Sequence, residues 1–155
     1  MKRRTEKNAQ YEYQQNFKAS DKRTGTYCHE MGHAVYALFG FECSYSNNPN
    51  ATQIYNDLQN TIKSLYNKNL KDISKQKTEF YERYGRKYNH KSILDREALR
   101  DMMPDKKIYK VSAYGSRDIE EFVAECFSAY YTGMNNELAE QCVNAYKSAF
   151  KQVER

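Results

Sequence analysis

The residues with the plainest chemical use stand at 29–33, His29-Glu30-Met31-Gly32-His33. On a helix, side chains at i and i+4 project from one face about one turn apart. That spacing lets two imidazoles serve as adjacent ligands of one Zn²⁺, each nitrogen about 2.0–2.1 Å from the metal. Glu30 is rotated by about 100° from His29, so it stands beside such a metal rather than on it. From there it can take a proton from water. Two protein ligands are too few, because a catalytic zinc usually has three and keeps a fourth position open.

The third ligand has to come from elsewhere. His90 is the remaining histidine, in a Lys/Tyr/Asn-rich stretch with no partner motif. A third His placed six residues after His33 is also lacking, since AVYALFG follows directly. The stretch SAYGSRDIEEFVAECF, residues 112–127, offers more. Glu121 and Glu125 are i, i+4 and place two carboxylates on one helical face. Glu121 also fits a capping box, three residues after an Asp118 N-cap. Glu125 lies among Val123, Ala124, Cys126 and Phe127, a setting in which a carboxylate needs a partner. The free N–H of a metal-ligating histidine is one such partner.

Together, HEMGH and YGSRDIEEFVAECF resemble the catalytic domain family of anthrax lethal factor and its phage- and mobile-element-borne relatives. There one helix bears HExxH, and a later helix bears a zinc-binding Glu within an E-[FL]-x-A-E-x-F-type segment, seven residues after a tyrosine. Glu121, Glu125, Phe127 and Tyr114 keep that register. The resemblance covers about twenty residues in two blocks. It implies a zincin-like metallopeptidase with two active-site helices, one Zn²⁺ and a peptide or protein substrate. It implies that His29, His33 and Glu121 bind the metal and that Glu30 is the general base. It further implies that Tyr114 donates a hydrogen bond to the oxyanion and that Glu125 supports a ligand. A metal-binding interaction module of a phage or mobile element, with little or no peptidase activity, is the alternative. Its motives are the 28 residues before His29, few for a substrate-aligning edge strand, and the 87 residues between His33 and Glu121.

Composition bounds the frame that must position these residues. At 155 residues the chain is long enough for one domain around one core. Mean hydropathy is −1.02, yet 15 Tyr and 7 Phe supply large apolar areas, which argues for a folded chain. A net charge of +5 is spread along the chain, and only Lys2, Arg3 and Arg4 form a run, which argues against nucleic-acid binding. Cys28, Cys43, Cys126 and Cys142 form no CxxC pair and read as reduced thiols. No signal peptide or membrane-spanning run is visible, so the chain reads as cytoplasmic or as a piece of a larger delivered protein.

Periodicity predicts a mostly helical fold, α+β at most, in one domain over 1–155 with a helical insertion around 50–104. The HEMGH helix is expected over Thr26–Phe39, with Gly40 as its stop and Met31, Val35, Leu38 and Phe39 as its apolar stripe. Residues 1–24 read as a short helix or an arm. Further helices are expected over 51–71 after an Asn50 cap, over 92–103 before Pro104, from Asp118 to Gly133, and from Asn135 or Asn136 to about Val153. Gly85 is expected to interrupt the segment 71–91, and 107–114 to be extended.

Overall fold

The computed structural model describes residues 5–89 and 91–154. The basic run Lys2, Arg3 and Arg4, and the candidate ligand His90, lie outside the described residues. The elements are α1 (Glu6–Gln14), α2 (Gly25–Tyr45), α3 (Ala51–Asn67), α4 (Ser74–Tyr84), α5 (Ile93–Asp101), a 3₁₀ turn (Tyr114–Ser116), α6 (Ile119–Tyr131) and α7 (Glu137–Val153). The protein is therefore mostly helical. Among the described residues, extended pairing is limited to one antiparallel bridge, Leu70 to Tyr109.

Local chemistry explains most of the boundaries. Asp118 and Asn136 accept hydrogen bonds from the backbone N–H of Glu121 and Ala139, capping α6 and α7. Ser92 does the same for α5 through Asp95. Gly85 (φ 62°) and Gly133 (φ 77°) adopt the left-handed conformation that ends α4 and α6.

Three helix expectations need correction. α2 does not stop at Gly40 but runs to Tyr45, because Gly40 packs on the ring of Tyr55 from α3 and keeps an ordinary φ. α3 ends at Asn67 instead of 71. The buried Asn69 turns its side chain to residues 111 and 112, accepting from the Val111 N–H and donating to the Ser112 carbonyl. The start of α3 is held by Asn48, whose Oδ1 accepts from the Asn50 N–H, while Asn50 makes no side-chain cap bond.

The main core lies between α2, α3, α6 and α7. Phe39, Leu58, Ile62, Phe122, Val123, Cys126, Cys142, Val143 and Tyr146 meet there. Cys126 and Cys142 are both buried in it, and burial, with a hydrogen bond between the two thiols, pushes Cys126 well above its usual pKa. A second cluster joins Ile73, Phe80, Leu99, Met103, Ile108 and Tyr109. The expected insertion over 50–104 thus divides. α3 belongs to the main core, whereas α4 and α5 build the second cluster with the chain around 108 and 109.

The closest helix pair is α2 and α6, which run antiparallel. Gly25 meets Ser128 at one end and His33 meets Glu120 at the other. Gly32 sits at the crossing, where a Cβ would fall 2.6 Å from Ala124 Cα and 3.0 Å from Phe127 Cβ. Only glycine permits that approach. It also decides which face of α2 turns inward. His29, Gly32 and Phe39 are buried, whereas Met31 and Leu38, expected in the apolar stripe, are exposed.

Candidate metal centre

α2 brings His29 and His33 onto one edge, and the antiparallel α6 brings Glu121 and Glu125 opposite them. The ring Nε2 atoms of the two histidines face each other at 3.1 Å. Glu121 Oε2 lies 3.2 Å from one and 3.4 Å from the other. Three potential ligand atoms thus form a nearly equilateral triangle.

The hydrogen bonds behind the triangle determine what those atoms offer. His29 Nδ1 is 2.7 Å from Glu125 Oε1, and His33 Nδ1 is 3.0 Å from Glu120 Oε1. A carboxylate only accepts, so each Nδ1 carries the proton and each Nε2 of a neutral ring presents a lone pair. Glu121 Oε2 is itself buried without a hydrogen-bond donor. Three lone pairs converge on one point, an arrangement that is costly unless a cation shares it.

The set fits zinc. Ligands about 2.05 Å from a tetrahedral metal stand about 3.3 Å apart, which matches the three edges observed. His, His and Glu are also the right donor types for that ion, and three ligands leave a fourth position open.

Glu125 is the most heavily engaged side chain here. It is buried, and besides His29 it accepts the Ala19 backbone N–H at 2.7 Å and the Ser112 hydroxyl at 2.8 Å. Lys18 Nζ stands 3.6 Å away. Burial alone would raise its pKa, but the His29 hydrogen bond and the Lys18 charge outweigh it, so the net shift is downward. Ser112 does double service, since its oxygen accepts the Gly115 N–H while its proton goes to Glu125.

Tyr114 opens the 3₁₀ turn, its ring centroid 5.7 Å from that of His29. Phe17 packs edge-on against it at 5.6 Å, and Lys18 Nζ sits 3.3 Å from its ring centre. The segment after α1 holds this turn through the Asn16 and Phe17 carbonyls, which accept from the Ala113 and Tyr114 N–H groups. Glu30 is exposed on the solvent side of α2.

The residues expected from the sequence divide accordingly. His29, His33 and Glu121 meet at one point, Glu125 and Tyr114 adjoin His29, and Glu30 is exposed on α2 next to His29 in sequence. For Glu121 the capping expectation also holds in part. Its N–H caps on Asp118 while its Oε2 turns to the histidines. Sequence reasoning missed Glu120, Ser112, Lys18 and the Ala19 N–H. Glu120 had a readable signal, because adjacent glutamates on a helix point about 100° apart and can serve two histidines. Lys18 and Ser112 had none, since only the fold brings 18, 112 and 125 together.

No protein-family model matches this chain, and neither does any curated protein or solved structure.

Proposed function

We propose that the chain is a zinc-dependent endopeptidase of the kind its two motif blocks resemble, the zincin-like family of the anthrax lethal factor catalytic domain. The observation that carries this reading is the triangle of two imidazole nitrogens and one carboxylate oxygen, each imidazole fixed from behind by another carboxylate. His29, His33 and Glu121 would hold the ion, which when bound supplies Lewis acidity, polarising a peptide carbonyl and acidifying water.

The chain's own groups do the rest. Glu30, exposed beside the ligands, takes the proton from the attacking water and delivers it to the leaving amine. Tyr114 donates a hydrogen bond to the developing oxyanion, sharing its charge. Glu125 and Glu120 fix the two imidazole tautomers so that Nε2 points inward. Lys18 keeps the Glu125 carboxylate charged and packs on the Tyr114 ring.

Glu30→Gln removes the base and none of the ligands. It is expected to keep one equivalent of zinc and to lose cleavage of a peptide library by about 10²–10⁴-fold, the usual worth of a general base. Undiminished, chelator-sensitive cleavage by that variant would rule out this role. The α4–α5 unit, with an apolar cluster of its own, favours a second reading as a metal-binding interaction module. A zinc-loaded protein that cuts no peptide yet holds a protein partner tightly would establish that reading instead.

A further inference from the structure

α2 buries one apolar face and exposes another. Tyr27, Met31, Ala34, Leu38, Phe41 and Tyr45 follow at intervals of 4, 3, 4, 3 and 4 residues, the repeat of a coiled-coil seam. At about 100° per residue they share one strip, on the side opposite Gly25, His29, Gly32 and Phe39. The strip is open, with Tyr27 77%, Met31 39%, Leu38 50%, Phe41 61% and Tyr45 74% exposed. Ala34 is exposed as well. Phe41 and Tyr45 touch each other at 4.6 Å between ring centres. Continuation of α2 beyond Gly40 is what adds these last two residues to the seam.

A contiguous apolar strip of this length marks a docking surface. Its 3.5-residue period fits another helix, since such a repeat stays on one side of a helix only when a partner supercoils with it. The flanks narrow the choice further. Gly25–Tyr45 contains no Lys or Arg and two glutamates, Glu30 and Glu42, a poor match for anionic lipid or nucleic acid.

We propose that the strip is a homodimer interface in which α2 packs antiparallel on α2 of a second copy. Centred near residue 36, this pairing sets Tyr27 against Tyr45, Met31 against Phe41, and the small Ala34 against Leu38. Along the flanks it places Glu30 against Ser44 and Glu42 against Cys28, so that no two glutamates face each other. The strip covers roughly 600 Å² per copy, about 1,200 Å² in all, the size at which specific interfaces become stable. The inference rests on α2 alone and is independent of whether the centre binds zinc.

Sedimentation velocity of the full chain over a wide concentration series tests it. The wild type should reach twice the mass of one chain. The double variant Leu38→Lys/Phe41→Lys should stay at one, with unchanged circular dichroism because both positions are exposed. A wild type that remains a monomer throughout overturns the proposal, and so does a dimer that survives the double substitution. Orientation is read from a Cys43→Ser/Glu42→Cys variant after mild oxidation. An inter-chain disulfide from the introduced thiol to Cys28 is expected, whereas bonds between like positions alone would refute the antiparallel pairing.

Discussion

His29 and His33 present the same atom to the same point, yet their surroundings are opposite. His29 is buried, and the carboxylate behind it is buried too, fixed by a backbone N–H, a serine hydroxyl and a lysine. His33 is half-exposed, and the Glu120 behind it is open to solvent with His33 as its hydrogen-bonded partner. The i, i+4 spacing supplies two ligands, but it does not make them equally rigid. A buried carboxylate network cannot relax without leaving donors unpaired, whereas an exposed one exchanges its partner for water at little cost. The first half of the centre is thus part of the core, and the second half is adjustable.

Four outcomes break or sharpen that contrast. Glu125→Ala strands the His29 Nδ1–H, the Ala19 N–H, the Ser112 hydroxyl and the Lys18 ammonium at once. It should cost about 3–5 kcal/mol in denaturant unfolding, as loss of one member of a buried charge network does. Zinc affinity should fall about 10–100-fold at the same time. A thermal midpoint within a degree of wild type would show that the buried half is not structural.

Zinc itself is expected to stabilise the fold. At a free concentration about 100 times its Kd the gain is about 2.7 kcal/mol, visible as a rise in thermal midpoint that chelation reverses and His33→Ala abolishes. A midpoint indifferent to zinc would mean that the three lone pairs share a proton instead of a metal.

Gly32→Ala tests the crossing that sets the depth of His29 against α6. A Cβ there meets backbone, which cannot swing aside, so a net loss of about 2 kcal/mol is expected despite the better helix propensity of alanine. Calorimetry would read it, and a stabilised variant would refute the close approach.

Glu120→Ala should give the smallest effect. Stability should stay within about 0.5 kcal/mol, as for other exposed pairs. Zinc affinity by competition titration should weaken less than it does in Glu125→Ala. Equal losses in the two variants would erase the distinction between the halves.

Much of the frame was legible because it depends on local chemistry. Asp118 and Asn136 cap helices through side chains three residues from the groups they satisfy, and Gly85 and Gly133 end helices through their own φ. The inward face of α2 was not legible. Counting apolar residues selects Met31 and Leu38, while the structure buries the face carrying Gly32, because closeness of approach and not hydrophobicity decides that contact. The end of α3 was hidden for a similar reason, since the partners of Asn69 lie more than 40 residues away.

By itself the sequence determined which residues could do chemistry and on what elements they ride, because helical spacing fixes His29 beside His33 and Glu121 beside Glu125 within single turns. Tertiary structure alone decided that the two pairs face each other, that Ser112, Lys18 and the Ala19 N–H hold Glu125, and that the Tyr27–Tyr45 strip remains outside. Spacing along one helix is set by backbone hydrogen bonds between near neighbours. Distance between helices is set by packing, and here by the one glycine that lets α2 lie against α6.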